Sequence, residues 1–292
     1  MKNLNIMVSK HSVFYSPLIG VIAGGFLTEH GYEANYSIVP ENETVSSYLL
    51  SGEVDVAQAA VSANWSFMEQ NKKINIIHFA EINQRDGFFI LSKEIQGVTS
   101  WKDLEGCSLI AELGRQPFDM LRFALNKEDV DLDKINWIQA ESLDSSIELF
   151  KQGNADFIHL QGPYPQQLSL EGYGQIVFSV GETIGPVAFS SMCCTKEFLD
   201  NNSYLIFLDS FKKAKKWVLT ENLDLVAEKI SSFFDEISFE VIKTTLQTYR
   251  GLGCWSLETN ISKETYEASL DVFSFNKTIS RRHDYSEVVY TD

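Results

Sequence analysis

Ten polar or aromatic side chains lie in four short segments, each placed just after a stretch whose pattern predicts a β-strand. The segments are residues 9–17, 58–65, 113–117 and 160–164. Hydroxyl and amide groups can hydrogen-bond to the edge of a flat molecule while aromatic rings stack against its face. The ten candidates for ligand contact are Ser9, His11, Tyr15, Gln58, Ser62, Trp65, Arg115, Gln116, Gln161 and Tyr164. We therefore predict a binding site for a small molecule and assign no catalytic residue.

Two of these candidates have more than one interpretation. Arg115 is the one guanidinium in the four segments, and it precedes a predicted helix whose N-terminus also favours an anion such as a phosphate or carboxylate. The alternative for Arg115 is an ion pair across the site to Asp86 or Glu182. His11 can hydrogen-bond to a ligand, act as an acid or base, or cap the helix that begins near Pro17. The sequence leaves these alternatives open.

The remaining histidines are assigned from their positions in the pattern. His159 lies on a predicted strand and either approaches the site or faces the core. His30 and His78 are expected at the surface or at a sheet edge. The run 281–283, Arg-Arg-His, follows the last predicted helix and is expected to be a solvated end.

The charge balance excludes two classes of partner. The 292-residue chain has 40 acidic and 24 basic residues and a formal net charge of −16. Nucleic acids and anionic lipid surfaces are bound chiefly through Lys and Arg, so neither is expected as a partner. No stretch approaches the roughly 18 to 20 consecutive apolar residues of a transmembrane helix, so we predict no transmembrane segment.

Cofactor and metal signatures are missing from the sequence. There is no GxGxxG, GxxxxGK[ST], GxSxG or HExxH motif. The four cysteines, Cys107, Cys193, Cys194 and Cys254, have no CxxC spacing, which favours buried free thiols over a zinc site or a redox dithiol. We therefore predict no cofactor and no bound metal.

The elements that position the four segments occur twice along the chain. Residues 44–56 and 145–157 both have the pattern of a helix, a glycine and a short strand, with Gly52 and Gly153 where a helix ends in a left-handed residue. The order strand, loop, helix also occurs upstream of each. Alternating strands and helices build open parallel sheets, and ligands collect at the carboxyl ends of their strands. We therefore predict two α/β lobes whose facing strand ends enclose a cleft.

Two segments are expected to connect the lobes, at residues 86–91 and 185–192. They divide the chain into lobe one, residues 1–88 and 190–292, and lobe two, residues 89–189. The helices predicted after the second crossing are 197–219, 223–235, 238–249 and 262–279.

Five ordered motifs give the chain a resemblance to a known family. They are Gly31-Tyr32-Glu33-Ala34, Ser51-Gly52-Glu53-Val54-Asp55-Val56, Trp101-Lys102-Asp103-Leu104-Glu105-Gly106, Gly153-Asn154-Ala155-Asp156-Phe157 with Gly162-Pro163, and Thr195-Lys196-Glu197-Phe198-Leu199. Over nearly its whole length the chain resembles the type II periplasmic-binding-protein-like family. The branch it is similar to binds nitrate, sulfonates, taurine and thiamine-pyrimidine precursors for ABC importers, and it includes the fungal-type pyrimidine synthase of thiamine biosynthesis.

The resemblance implies a two-lobed α/β fold in which each lobe is a mostly parallel sheet flanked by helices. It also implies a solute-binding protein that closes on a small planar, in some cases anionic, ligand such as a thiamine-pyrimidine precursor or a sulfonate, with ABC importer membrane subunits as partners. In the synthase, a lysine that holds pyridoxal phosphate and a histidine four residues later follow the third strand. Ala59 and Ala63 stand in those places here, so pyridoxal phosphate is not expected.

A cytoplasmic enzyme on the same scaffold is the alternative function, with His11, Cys193 and Glu182 as nucleophile or acid–base candidates. The chain begins with a predicted strand at residues 4–8, where an exported protein has a charged and then apolar leader. We therefore expect a cytoplasmic protein as the chain stands, or a periplasmic or extracellular one if a leader was removed.

Overall fold

Two five-stranded sheets, each flanked by helices, make up the computed structural model, which describes residues 1–94 and 97–291. In chain order the strands are β1 (Lys2–Val8), β2 (Tyr32–Ile38), β3 (Val56–Ala59), β4 (Ile76–Asn83), β5 (Phe88–Ser92), β6 (Ser108–Ile110), β7 (Asn136–Ile138), β8 (Phe157–Gln161), β9 (Gln175–Ser179) and β10 (Ser190–Thr195). Sheet one has the order β2-β1-β3-β10-β4, and sheet two has the order β7-β6-β8-β5-β9. The predicted two-lobed α/β fold is confirmed, and we call sheet one with its helices lobe one and sheet two with its helices lobe two.

Each sheet contains one strand that enters directly from a crossing between the lobes. In sheet two this strand is β5, which is antiparallel to β8 and β9. In sheet one it is β10, which is antiparallel to β3 and β4. The other four strands of each sheet run in one direction, so both sheets are mostly parallel, as the sequence predicts.

Helices cover the sheets in the pattern that the sequence predicts, with one break. In chain order they are α1 (Ser16–Ala23), α2 (Val45–Ser51), α3 (Ser62–Glu69), α4 (Gln116–Lys127), α5 (Leu143–Lys151), α6 (Tyr164–Leu170), α7 (Val180–Ile184), α8 (Lys196–Leu199), α9 (Asn202–Thr220), α10 (Leu223–Ser231), α11 (Phe239–Gly251), α12 (Lys263–Phe275) and α13 (Tyr285–Val288). The prediction of one helix over 197–219 was wrong. The side chain of Asn201 accepts a hydrogen bond from the backbone N–H of Ser203 and starts α9 as a new helix after α8.

The repeated pattern of helix, glycine and strand is present in both lobes. The helix α2 is followed by Gly52 and then β3, and α5 is followed by Gly153 and then β8. Gly52 has a φ of 79° and Gly153 a φ of 80°, which is the left-handed region that a side chain disfavours. Thr44 and Ser142 cap the two helices by accepting hydrogen bonds from Ser47 and Ser145. Local sequence therefore sets both ends of each helix.

Aromatic side chains join the two lobes beside the crossings. The Phe14 ring lies 5.5 Å from the Phe189 ring and 4.7 Å from the Tyr249 ring, measured between centroids. Tyr249 also lies 5.9 Å from Phe89 of β5. A Cβ atom on Gly87 would lie 2.5 Å from the Phe14 ring, so this close approach requires a glycine. The hydrophobic core is consequently continuous from one lobe to the other.

Two histidines are buried, His78 at the sheet edge where it is expected and His283 in the segment expected to be a solvated end. His78 is fully buried although it lies on the edge strand β4, because the C-terminal segment covers that edge and Tyr290 donates a hydrogen bond to the His78 carbonyl. Burial lowers the pKa of His78 to about 3. His283 is also buried, where it pairs with Glu69. The expected solvated end is therefore wrong for His283, while the exposed Arg282 forms ion pairs with Glu267 and Asp271.

The four cysteines are free thiols, as the sequence predicts. Cys193, Cys194 and Cys254 are buried free thiols, and Cys107 is a half-buried one. None of the helices in the described part of the chain is long and apolar enough to cross a membrane.

We expect Gly52→Ala and Gly153→Ala each to lower the free energy of unfolding by about 1 kcal/mol, because each forces a side chain into the left-handed region. Urea unfolding of each variant measures this loss. Gly251→Ala is the matched control, since its φ is ordinary and no atom lies within 4 Å of the added Cβ. An equal loss in all three variants would contradict the conformational explanation.

Candidate ligand-binding site

A cavity of about 500 Å³ opens where the strand ends of the two lobes face each other. Its walls come from residues 9–12 after β1, 111–115 after β6, 139–143 after β7 and 159–161 at the end of β8. We call it the main cavity. A side cavity of about 220 Å³ shares five of its lining residues, Ser9, Lys10, Phe88, Arg115 and Gln161.

Eight of the ten predicted residues line one or both cavities. These eight are Ser9, His11, Tyr15, Gln58, Arg115, Gln116, Gln161 and Tyr164. Trp65 is buried in lobe one, where its indole N–H donates to the Tyr266 hydroxyl at 2.8 Å and its ring packs against Phe273. The prediction that Trp65 contacts the ligand was wrong, because α3 turns its apolar side toward the core of lobe one. Ser62 lines neither cavity and instead donates to the Gln116 side chain at 3.0 Å.

Gln58 holds the first segment of the site in place. Its side-chain oxygen accepts hydrogen bonds from the Ser9 backbone N–H at 2.9 Å and from the Ser9 hydroxyl at 2.7 Å. Its side-chain nitrogen donates to the Ser190 hydroxyl at 2.8 Å. Since both ends of this buried amide are used, Gln58 positions Ser9 beside the cavities.

His11 lines the main cavity with both ring nitrogens engaged. Nε2 lies 2.8 Å from the carbonyl oxygen of Phe233, and Nδ1 lies 2.9 Å from the Tyr36 hydroxyl. A carbonyl only accepts, so Nε2 carries a proton and donates it. The ring also stacks on Phe234, with 4.3 Å between centroids. His11 does not cap a helix, because Ser12 accepts the hydrogen bond from Phe14 at the start of the turn over 13–15.

The backbone of Gly162 is held by lobe one at both of its polar atoms. The Tyr249 hydroxyl accepts from the Gly162 N–H at 2.8 Å and donates to the Gly87 carbonyl at 2.8 Å. The Ser12 hydroxyl donates to the Gly162 carbonyl at 2.7 Å. A Cβ atom at position 162 would lie 2.6 Å from the Tyr249 oxygen, so only glycine permits this contact. We call these three hydrogen bonds the Gly162 clamp.

Tyr15 of lobe one and Gln161 of lobe two both line the side cavity. Burial raises the pKa of Tyr15 to about 12. Gln116 of lobe two links the lobes, since its side-chain oxygen accepts from the Ser62 hydroxyl of lobe one at 3.0 Å. Its side-chain nitrogen donates to the Phe189 carbonyl at 3.0 Å. Both polar ends of the Gln116 side chain therefore already have protein partners.

Three charged side chains form an ion-pair cluster at the main cavity. Glu112 of lobe two lies 2.8 Å from the Lys10 ammonium of lobe one and 3.2 Å from Nε of Arg115. Arg115 does not pair with Asp86 or Glu182, the partners of the ion-pair alternative, because Asp86 is buried at the first crossing and Glu182 is on α7. Arg115 is exposed, so this pairing contributes little to stability.

His159 forms part of the cavity wall from the strand β8. It stacks on Phe88 with 4.7 Å between ring centroids. Burial, with a smaller contribution from the Lys10 charge, lowers the pKa of His159 to about 3, so the ring is uncharged at neutral pH. Its Nε2 atom is buried and has no hydrogen-bond partner in the structure. His159 therefore borders the main cavity while it remains almost completely buried.

The sequence analysis missed the segment 139–143 and the charged pair Lys10 and Glu112. Residues 139–143 follow β7, which is parallel to β6, so its carboxyl end lies at the same edge of sheet two as the predicted segment 113–117. The strand order contained this signal, because all parallel strands of a sheet end at one edge. The pairing of Lys10 with Glu112 had no local signal, since the two residues come from different lobes.

The candidate catalytic groups do not come together. Cys193 is buried within sheet one, its thiol lies beside the Ala57 carbonyl, and burial raises its pKa well above the ordinary value. Glu182 is exposed on α7 and lines neither cavity. Residues 1–94 and 97–291 contain no group of three or more His, Cys, Asp or Glu that could hold a metal ion.

The fold and the cleft define the class of the protein as a two-lobed, periplasmic-binding-protein-like α/β protein. The family model described as NMT1/THI5 like matches residues 15–221, which is most of the chain. The chain belongs to the NMT1/THI5-like family. Among curated proteins it is 24% identical over 283 residues to "Putative binding protein YtlA" of Bacillus subtilis strain 168, covering 96% of this chain and 85% of that protein.

Solved structures share the fold at low sequence identity. The periplasmic aliphatic sulphonate binding protein SsuA of Escherichia coli superposes with a TM-score of 0.76 and 15% identity, covering 99% of this chain and 98% of that one. The alkanesulfonate-binding protein SsuA of Xanthomonas axonopodis pv. citri, bound to MOPS, has a TM-score of 0.74, 14% identity and the same coverage. The periplasmic nitrate-binding protein NrtA of Synechocystis PCC 6803 has a TM-score of 0.65 and 16% identity, covering 91% of this chain and 75% of that one.

We expect Tyr249→Phe to lower the free energy of unfolding by about 1 to 3 kcal/mol, because it leaves the buried N–H of Gly162 and the carbonyl of Gly87 without this partner. Tyr173→Phe removes a hydroxyl from a more exposed tyrosine and is the control. Urea unfolding compares the two, and equal stability of both variants would show that the two Tyr249 hydrogen bonds of the clamp contribute nothing.

A pH-dependent contribution to stability is expected from Asp86. One of its carboxylate oxygens accepts from the Phe88 N–H, the other has no partner, and burial raises its pKa to about 7. Between pH 4 and 7 the unfolded chain gives up this proton while the folded protein keeps it, so stability falls as the pH rises through that window. Relative to Asp86→Asn, the protein should lose up to about 4 kcal/mol in urea unfolding between pH 4 and pH 8. A difference that is the same at both pH values would contradict this assignment.

Proposed function

We propose that the chain is a solute-binding protein that holds a small planar molecule in the main cavity and serves the membrane subunits of an ABC importer. The observation that carries this proposal is a cavity of about 500 Å³ with walls from both lobes, a volume in the usual range of small-molecule sites. A solute bound there stabilises the closed arrangement of the lobes, and a membrane partner can recognise that arrangement.

The cavity wall supports a flat ligand. Phe88 and the stacked His159 present ring surfaces, and Tyr164 lines the same cavity. His159 and Gln161 are two residues apart on β8, so their side chains lie on the same face of sheet two. A flat molecule lying against these rings would place its edge near the Gln161 amide and the Ser9 hydroxyl.

The relatives support the transport role. The Escherichia coli and Synechocystis proteins with this fold are named as periplasmic sulphonate-binding and nitrate-binding proteins. By analogy we place this chain outside the cytoplasmic membrane, beside its importer. Thiamine-pyrimidine precursors and sulfonates are the two classes of ligand to be tested.

Thermal melting against a panel of aminopyrimidines, alkanesulfonates, nitrate and small carboxylates should give an upward shift with at least one compound. A ligand at about 100 times its dissociation constant adds about 2.7 kcal/mol to the free energy of unfolding. Mass spectrometry of small molecules released from the purified protein extends the panel to solutes acquired from the cell. No shift with any compound and no released molecule would reject the proposed function.

Variants of residues that line the main cavity test whether the ligand found in the panel binds there. Gln161→Ala should weaken binding at least about tenfold, the effect of removing a hydrogen bond in a water-excluded site. Gln167→Ala is the matched control, because Gln167 lies outside both cavities and bonds to Glu171. Equal affinities of the two variants would place the ligand elsewhere.

A further inference from the structure

The charges around the main cavity are already balanced within the protein. Its described lining contains two cations, Lys10 and Arg115, and two carboxylates, Glu112 and Glu141. Glu112 uses one oxygen for Lys10 and the other for Arg115, at 2.8 and 3.2 Å. No ion pair is recorded for Glu141 in the part of the chain that the structure describes. Both cations are therefore paired with the same carboxylate, Glu112, and the four charges of the lining sum to zero.

An anionic solute would meet two obstacles in this arrangement. It would have to displace the Glu112 carboxylate from both cations, or bind beside it and be repelled by both Glu112 and Glu141. Two like unit charges 4 Å apart in water repel enough to change an equilibrium about fivefold, and by more where solvent is partly excluded. The cations that would attract a sulfonate or phosphate are thus already occupied.

The wall beside the ion-pair cluster carries no charge. His159 is almost completely buried and its ring stacks on the neighbouring ring of Phe88. Its Nε2 has no partner, but that atom is itself buried. The two rings offer a solute contact area and no counter-charge, which suits an electroneutral ring better than an anion.

We propose that Glu112 is an anion filter, which makes the main cavity selective for polar solutes that carry no net negative charge. The inference rests on the proposed function, because it assigns the ligand class of the same cavity. Glu112 does this from lobe two while its partner Lys10 is in lobe one, so the filter is complete only when the lobes are together. The ligand expected is an electroneutral ring or amide compound, and sulfonates are disfavoured.

The test compares ethanesulfonate with its uncharged isostere ethanesulfonamide by calorimetric titration of the full chain and of two variants. Glu112→Gln removes the filter and leaves Lys10 and Arg115 unpaired, so the affinity for ethanesulfonate should rise about fivefold to tenfold, and less at high salt. The affinity for ethanesulfonamide should change less than about twofold. Glu141→Gln is the matched control, because it removes the same charge from the same cavity without freeing either cation.

Three results would overturn the filter. They are tighter binding of ethanesulfonate than of ethanesulfonamide by the unchanged protein, no gain in ethanesulfonate affinity in Glu112→Gln, and an equal gain in Glu141→Gln. Glu112 is partly exposed, and an unchanged melting temperature of the empty variant checks that it folds. Failure of the proposed function gives a different result, because no compound of the panel would then bind. The filter is measured separately, as the difference in ethanesulfonate affinity between Glu112→Gln and Glu141→Gln.

Discussion

The site depends on one structural constraint, the Gly162 clamp. A single glycine at the end of β8 has its N–H bonded by Tyr249 and its carbonyl bonded by Ser12, both from lobe one. The same Tyr249 hydroxyl reaches the Gly87 carbonyl at the first crossing. Because these groups are buried, each hydrogen bond has to be present for the fold to avoid the cost of an orphaned polar atom. The clamp therefore fixes where the strand ends of lobe two meet those of lobe one, and the cavity follows from that position.

The sequence contains enough information to predict the fold and most of the candidate residues that line the cavities. The repeat of Gly52 and Gly153 predicts two similar lobes because a helix that ends in a left-handed residue strongly prefers glycine there. Parallel strands then bring their carboxyl ends to one edge, which places Ser9, Arg115 and Gln161 beside one another. These inferences use local patterns and a general rule of topology, and neither needs knowledge of a particular side-chain contact.

Other features depend on contacts between distant parts of the chain and could not be predicted in this way. Trp65 is an aromatic residue at a position where it could stack on a ligand. Its indole instead donates to the hydroxyl of Tyr266, about two hundred residues later, and is buried in lobe one. His78 lies on an edge strand, yet the last residues of the chain cover that edge. The pairing of Lys10 with Glu112 joins two lobes. In each case a tertiary partner determines the orientation, and the local sequence does not identify that partner.

The contacts between the lobes differ in what they cost to break. At the back of the cleft, the Gly162 clamp and the rings of Phe14 and Tyr249 are buried, so separating them exposes apolar surface and leaves polar groups unpaired. At the mouth, the Lys10 and Glu112 pair is partly exposed, and water and salt can replace it at small cost. Opening is therefore easiest at the mouth, with the buried contacts beside the crossings acting as the pivot. Under the proposed function, a solute passes the exposed Lys10 and Glu112 before it reaches the buried rings of Phe88 and His159.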